Sequence, residues 1–189
     1  MKLSHRSAWA HLRARLARIP PPAVLALLYL GLVLLGAGAL LLPFATTQPI
    51  SFSDALFTST SAVTVTGLSV LDIGAVLTFW GELILAILIQ LGGLGLMSFA
   101  VLIFSALGMP LGLGQQVYLR EDLNQTSFHR LTSLVGTIFR VVLLAELIGA
   151  ILLAFVFVPE YGLKRGLWEA VFHSISAFNN AGFSTFPDG

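Results

Sequence analysis

Two stretches of this chain carry residue types that could do chemistry. Residues 52–69 read FSDALFTSTSAVTVTGLS and residues 167–184 read LWEAVFHSISAFNNAGFS; they align without gaps, 115 residues apart. Seven of the eighteen positions are identical, Gly67 falls on Gly182, and Asp54 meets Glu169. Each stretch reads as a short helix followed by a loop with one glycine. Backbone carbonyls turned toward a narrow axis can replace the hydration shell of a cation. A glycine lets the chain take angles other residues avoid and approach the axis closely. The helix before the loop directs its partly negative carboxyl end toward the same place. Together these features suit a desolvated monovalent cation.

Other residues offer weaker chemistry. Glu146 lies in the middle of a long apolar run, where an acid is either functional or hydrogen-bonded to a neighbouring helix. His173, with Ser174 and Ser176 nearby, could suggest a serine–histidine hydrolase. No nucleophile-elbow motif accompanies it, and the matching serines Ser59 and Ser61 have no histidine beside them, so packing is the better reading. Asp54 and Glu169 fall at expected helix starts, where an acid suits the helix dipole. The absence of cysteine excludes disulfides, thiolate metal sites and cysteine nucleophiles. Nothing points to an enzyme, a bound cofactor or a nucleic-acid partner.

The elements that must position these residues belong to a membrane protein. The 189 residues are 57% apolar and only 10% charged, against about 25% charged in soluble domains. A basic segment, 1–22, opens the chain with Lys2, Arg6, Arg13, Arg15 and Arg18 and ends in Pro20, Pro21 and Pro22. Residues 23–42 then form an uncharged run long enough to span a bilayer as a helix. A second span is predicted over 76–107, about 48 Å as one helix, with Gly92, Gly93 and Gly95 as the place for a hinge or a close helix contact. A third is predicted over 134–158, with Pro159 as its stop. Ser51 can cap a short helix from Phe52 to Ala62, with Asp54 three residues on. That helix is too short to cross the bilayer, and a re-entrant segment survives only where its backbone is buried or lines a wet cavity. The basic residues put the amino terminus inside, the first connection outside and the 108–133 loop, with Arg120 and Arg130, inside. Lys164 and Arg165 then fall outside, against the rule.

TSTSAVTVTGL, LIQLGGLGLM and AFNNAGFST together resemble the membrane subunit of the Trk/Ktr/HKT potassium uptake family. The resemblance implies an all-α integral membrane fold of potassium-channel-like span–pore helix–filter loop–span units, four to a pore. One and two-thirds of those units are present: 23–107 as the first, 108–133 as a cytoplasmic loop, and 134–189 as an incomplete second. It implies that Gly67 and Gly182 are filter glycines and that carbonyls of Thr64, Val65, Thr66, Asn179, Asn180 and Ala181 line the potassium path. Glycine at 67 resembles the potassium-selective members; serine there goes with sodium transport in some plant relatives. It further implies potassium uptake across the plasma membrane, passive or sodium-coupled, by a homodimer in the lipid bilayer, and a cytosolic nucleotide-binding regulatory subunit. Two filter strands cannot close a ring, so this chain is expected to be a fragment, inactive alone. The competing reading is a membrane scaffold without an ion path.

Overall fold

The computed structural model describes residues 21–106 and 127–186; the basic segment up to residue 20 and most of the 108–133 loop lie outside the described residues. The described backbone is helix and loop, with one isolated antiparallel bridge between Thr46 and Leu77. Helix α1, Pro21–Leu40, begins on two of the three prolines. Proline suits a first turn, where its missing N–H would have had no helical partner. The helix ends two residues before the expected Leu42.

Helix α2, Phe52–Val63, starts as the sequence predicts. Ser51 Oγ accepts the Asp54 N–H at 3.1 Å, and Asp54 Oδ2 accepts the Ser51 N–H at 3.3 Å. This capping box satisfies two donors that a helix start leaves free. The short helix α3, Ile73–Val76, is capped by Asp72, whose Oδ1 accepts from Ala75 N–H at 3.1 Å. Helix α4, Phe79–Ala106, starts three residues later than expected, because Thr47 and Thr78 pair the backbone on either side of Leu77 with the 45–47 connection. It runs as one helix through Gly92, Gly93 and Gly95.

Helix α5, Ser127–Phe178, corrects one expectation. Pro159 lies inside it, and the break comes at Gly162, with φ 77° and ψ 168°. Proline removes one donor and crowds the carbonyl four residues back, but does not forbid helix after itself. Glycine supplies the left-handed φ that turns the chain. The outer arm, 163–178, follows the break.

Helix α1 packs on α2 and α4, and α4 also packs on α2 and α5. The core joins Val33, Ala37 and Leu40 to Ala62, Val63, Leu85 and Ile89, and reaches Phe172, Ala181 and Phe183. Among the described residues one helix, Gly136–Phe178, is long and apolar enough to cross a bilayer by itself; Ala26–Leu40 and Phe79–Gly95 are shorter apolar helices. Many outward-facing side chains are aliphatic or aromatic, with Leu35, Leu152 and Phe155 well exposed. Lipid tails are as apolar as leucine, so such helices gain little by burying leucine on each other. Close approach of small residues and hydrogen bonds between helices hold them instead. Ser59 Oγ donates to the Val33 carbonyl at 2.8 Å, and Tyr29 Oη donates to the Gly92 carbonyl at 3.0 Å.

Candidate functional site: two loops meeting at glycine

The loops after α2 and after the outer arm of α5 have the same backbone hydrogen bonds. In the first, Thr64 N–H donates to Thr60 O, Val65 N–H to Ala62 O and Thr66 N–H to Ser61 O, at 2.9, 3.1 and 2.9 Å. In the second, Asn179 N–H donates to Ile175 O, Asn180 N–H to Ala177 O and Ala181 N–H to Ser176 O, at 3.1, 3.0 and 2.7 Å. Both then take left-handed angles at matching places: φ is 48° at Val65 and 54° at Asn180, 78° at Gly67 and 71° at Gly182. Asparagine tolerates that region; a β-branched valine does not, and holds about 1–2 kcal/mol of strain there. The position of Val65 was in the predicted set, but nothing in its residue type announces that angle.

The two loops come together through their backbones. A Cβ built on Gly67 would collide with the Ala181 carbonyl oxygen and sit 3.0 Å from the Gly182 Cα. One built on Gly182 would sit 3.4 Å from the Gly67 Cα. Thr64, Thr66, Asn180 and Gly182 are exposed, Val65 and Gly67 are half-buried, and Asn179 and Ala181 are buried. The carbonyl-bearing backbone of both loops is therefore concentrated around one place.

Beneath the second loop lies a polar anchor. Asn179 Nδ2 donates to Gln90 Oε1 at 3.0 Å and to Ile175 O at 2.9 Å, and lies 3.4 Å from Glu146 Oε1. Ser174 Oγ donates to the Glu146 carbonyl at 2.7 Å. Glu146 is thus hydrogen-bonded across to the outer arm. The glycines of α4 face this region. Gly92 lies against the Val63 backbone, Gly93 against the Asn179 side-chain amide, and Gly95 beside the Tyr29 ring. A side chain at Gly92 or Gly93 would displace one loop or the other.

A second cluster was missed by reading the sequence. Arg165 Nη1 and Nη2 donate to both oxygens of Glu82, at 3.0 and 2.8 Å, and Trp168 Nε1 donates to Glu82 Oε2 at 2.6 Å. Arg165 Nη2 also lies 2.6 Å from Glu169 Oε1. Glu82 and Glu169 are each 1% exposed. The Arg165 guanidinium is thus shared between the carboxylates of Glu82 and Glu169. The one available signal was the adjacent cations Lys164 and Arg165, which a buried acid could have balanced. Glu169 also departs from its expected role. The outer arm begins at 163, six residues before it, so Glu169 caps nothing; it accepts from the Thr185 hydroxyl and pairs with Arg165. His173 packs, as expected: its ring stacks on Phe186 with centroids 4.4 Å apart and meets Phe157 edge-on.

Apolar outer faces, helices tied by buried polar groups and two backbone-lined loops define an all-helical membrane protein. Comparison with known proteins gives the family. The TrkH family, described as cation transport protein, matches residues 29–189, and the chain belongs to it. It is 47% identical over 171 residues to the Ktr system potassium uptake protein B of Bacillus subtilis, covering 90% of this chain and 38% of that protein. It is 44% identical over 167 residues to the protein of the same name from Vibrio alginolyticus, covering 88% and 37%. The potassium/sodium uptake protein NtpJ of Enterococcus hirae is 36% identical over 173 residues, covering 90% and 38%. The chain therefore spans somewhat over a third of the length of these relatives. The family is one of transporters, not enzymes.

Proposed function

We propose that this chain supplies part of the wall of a potassium-conducting pore in the plasma membrane, within a transporter that needs further wall segments. Carbonyls of Thr64, Val65, Thr66 and Gly67, and of Asn179, Asn180, Ala181 and Gly182, replace water around the ion as it passes. The observation that carries this reading is the meeting of the two loops: equal hydrogen bonds and equal left-handed angles bring Gly67 and Gly182 together. The span–pore helix–filter loop–span unit, repeated along the chain, accounts for that equality. Two strands leave an ion under-coordinated, so the chain by itself moves none.

The amino terminus lies inside, as the basic residues suggest. The family resemblance implies a cytosolic regulatory partner that binds nucleotide, beneath a dimer of pores; relatives named as part of a Ktr system support only that such a protein works with other components. A relative named for both potassium and sodium leaves coupling to sodium as the question to ask of this pore.

The test is potassium-dependent growth of an uptake-deficient bacterium. The full-length protein carrying this sequence is compared with the 189-residue chain, each with and without Gly67→Ser. Rescue by the full-length protein alone, with potassium preference lost in the variant, is the expected result. No rescue by either, with both present in the membrane, would favour a scaffold. Rescue by the short chain would mean that copies assemble a pore.

A further inference from the structure

The outgoing legs of the two loops are held in different ways. Glu169, His173 and Ser176 lie on one face of the outer arm, spaced four and three residues apart, and all reach the leg 183–186. Ser176 Oγ donates to the Phe183 carbonyl at 2.7 Å. His173 Nε2 and Ser184 Oγ are 3.3 Å apart, and Thr185 Oγ1 donates to Glu169 Oε2. Phe186 stacks on the His173 ring. Glu169 is in turn fixed by Arg165, which reaches across to Glu82 on α4. A hydrogen bond to a buried carboxylate is about twice as strong as one between neutral groups.

The matching face of α2 carries Asp54, Thr58 and Ser61, and it holds nothing comparable. Asp54 is engaged by the cap at Ser51. Thr58 Oγ1 and Ser61 Oγ are buried and find no hydrogen-bond partner among the described residues. The position matching Thr185 is Val70, which has no hydroxyl and is exposed. Ser69 Oγ accepts from Leu71 N–H of its own leg, just as Ser184 Oγ accepts from Phe186 N–H, so that local bond is common to both legs.

We infer that Glu169, fixed by Arg165 and Glu82, is a positioning residue that sets the second ion-facing loop through Thr185, and that the first loop lacks such a clamp. The clamp stands on its own geometry; its effect on ion choice rests on the pore reading above. Potassium preference then depends on the Glu169–Thr185 bond. The first loop, whose outgoing leg is exposed over 68–70 and is tied among the described residues by its own Ser69–Leu71 bonds ahead of the Asp72 cap, is the more adjustable of the two.

Glu169→Ala would take away one of the two carboxylates that Arg165 pairs with and disturb the arm as a whole, so the test uses Thr185→Val, which keeps the shape and removes only the hydroxyl. Ser61→Ala, at the position matching Ser176, is the control in the first unit, since its hydroxyl has no partner among the described residues. Two measurements are made on the full-length protein in nanodiscs or proteoliposomes. The first is amide hydrogen exchange over 183–186, expected to quicken about tenfold in Thr185→Val, while exchange over 68–71 in Ser61→Ala stays as in wild type. The second is potassium against sodium uptake, expected to shift about fivefold toward sodium in Thr185→Val alone. Unchanged exchange over 183–186 overturns the clamp, whatever transport does. Quickened exchange with unchanged ion preference overturns the positioning role and leaves the pore reading intact. A wild-type protein that moves neither ion removes the pore reading, and with it the effect on ion choice, while exchange still decides the clamp.

Discussion

At the scale of single residues, the glycines separate into kinds that substitution will tell apart. Gly67 has φ 78° and backbone from the other loop against it, so Gly67→Ala meets both left-handed strain and collision. It is expected to abolish ion uptake while the protein still reaches the membrane, measured by uptake normalised to membrane abundance. Gly93 is helical, and its open side is filled by the Asn179 amide. Gly93→Ala therefore displaces a buried, hydrogen-bonded side chain and should cost about 1–3 kcal/mol, read as a lower thermal midpoint in detergent. Gly38 in α1 has nothing within 4 Å of a built Cβ, so Gly38→Ala is expected to be neutral or to stabilise by up to about 1 kcal/mol in the same measurement.

Elements are held by their ends. The α2 cap is local, and Ser51→Ala removes the acceptor for the Asp54 N–H. A lost cap costs about 1 kcal/mol, and here it loosens the helix that carries the first loop. The outer arm of α5 is held from a distance, by the two-pronged pairing of Arg165 with Glu82. Lysine keeps the charge but cannot present two parallel N–H groups to one carboxylate. Arg165→Lys should therefore destabilise by about 1 kcal/mol, less than the roughly 1.5–3 kcal/mol of a charged hydrogen bond because the Arg165 side chain is 41% exposed. Lys164→Ala, its exposed neighbour, is the control and should leave the thermal midpoint unchanged. Equal effects from the two would show that Arg165 contributes only general charge.

At the scale of the whole molecule, the outward faces set the environment. Leu152 is 63% exposed and sits in the middle of the apolar part of α5. An arginine there costs about 2.5–3.5 kcal/mol of insertion into a bilayer. Leu152→Arg should reduce the membrane-integrated fraction, measured by carbonate extraction of isolated membranes. If another protein segment covers this face instead of lipid, insertion will persist and assembly will fail. The chain covers 38% of the length of its Bacillus subtilis relative.

Much of the local structure was legible in the sequence by itself. Apolar runs marked α1, α4 and the inner part of α5, and Ser51 with Asp54 marked the start of α2, because hydropathy and capping depend on near neighbours. The gap-free match of 52–69 with 167–184 goes with a shared backbone hydrogen-bond pattern in the two loops, although Thr64, Val65 and Thr66 differ from Asn179, Asn180 and Ala181. Helix ends were read less well: Gly162 breaks α5 where Pro159 was expected to, because a residue's permitted angles show where a chain can turn and packing selects where it does. The partners of Glu82, Arg165 and Glu169 were decided only by the tertiary structure. Residues 82 and 165 are far apart along the chain, and their pairing exists because α4 and the outer arm pack side by side. The same holds for Gly93 beneath Asn179 and for Gly67 against Gly182. Each of these contacts depends on where a second element lies, and no spacing within one segment encodes that.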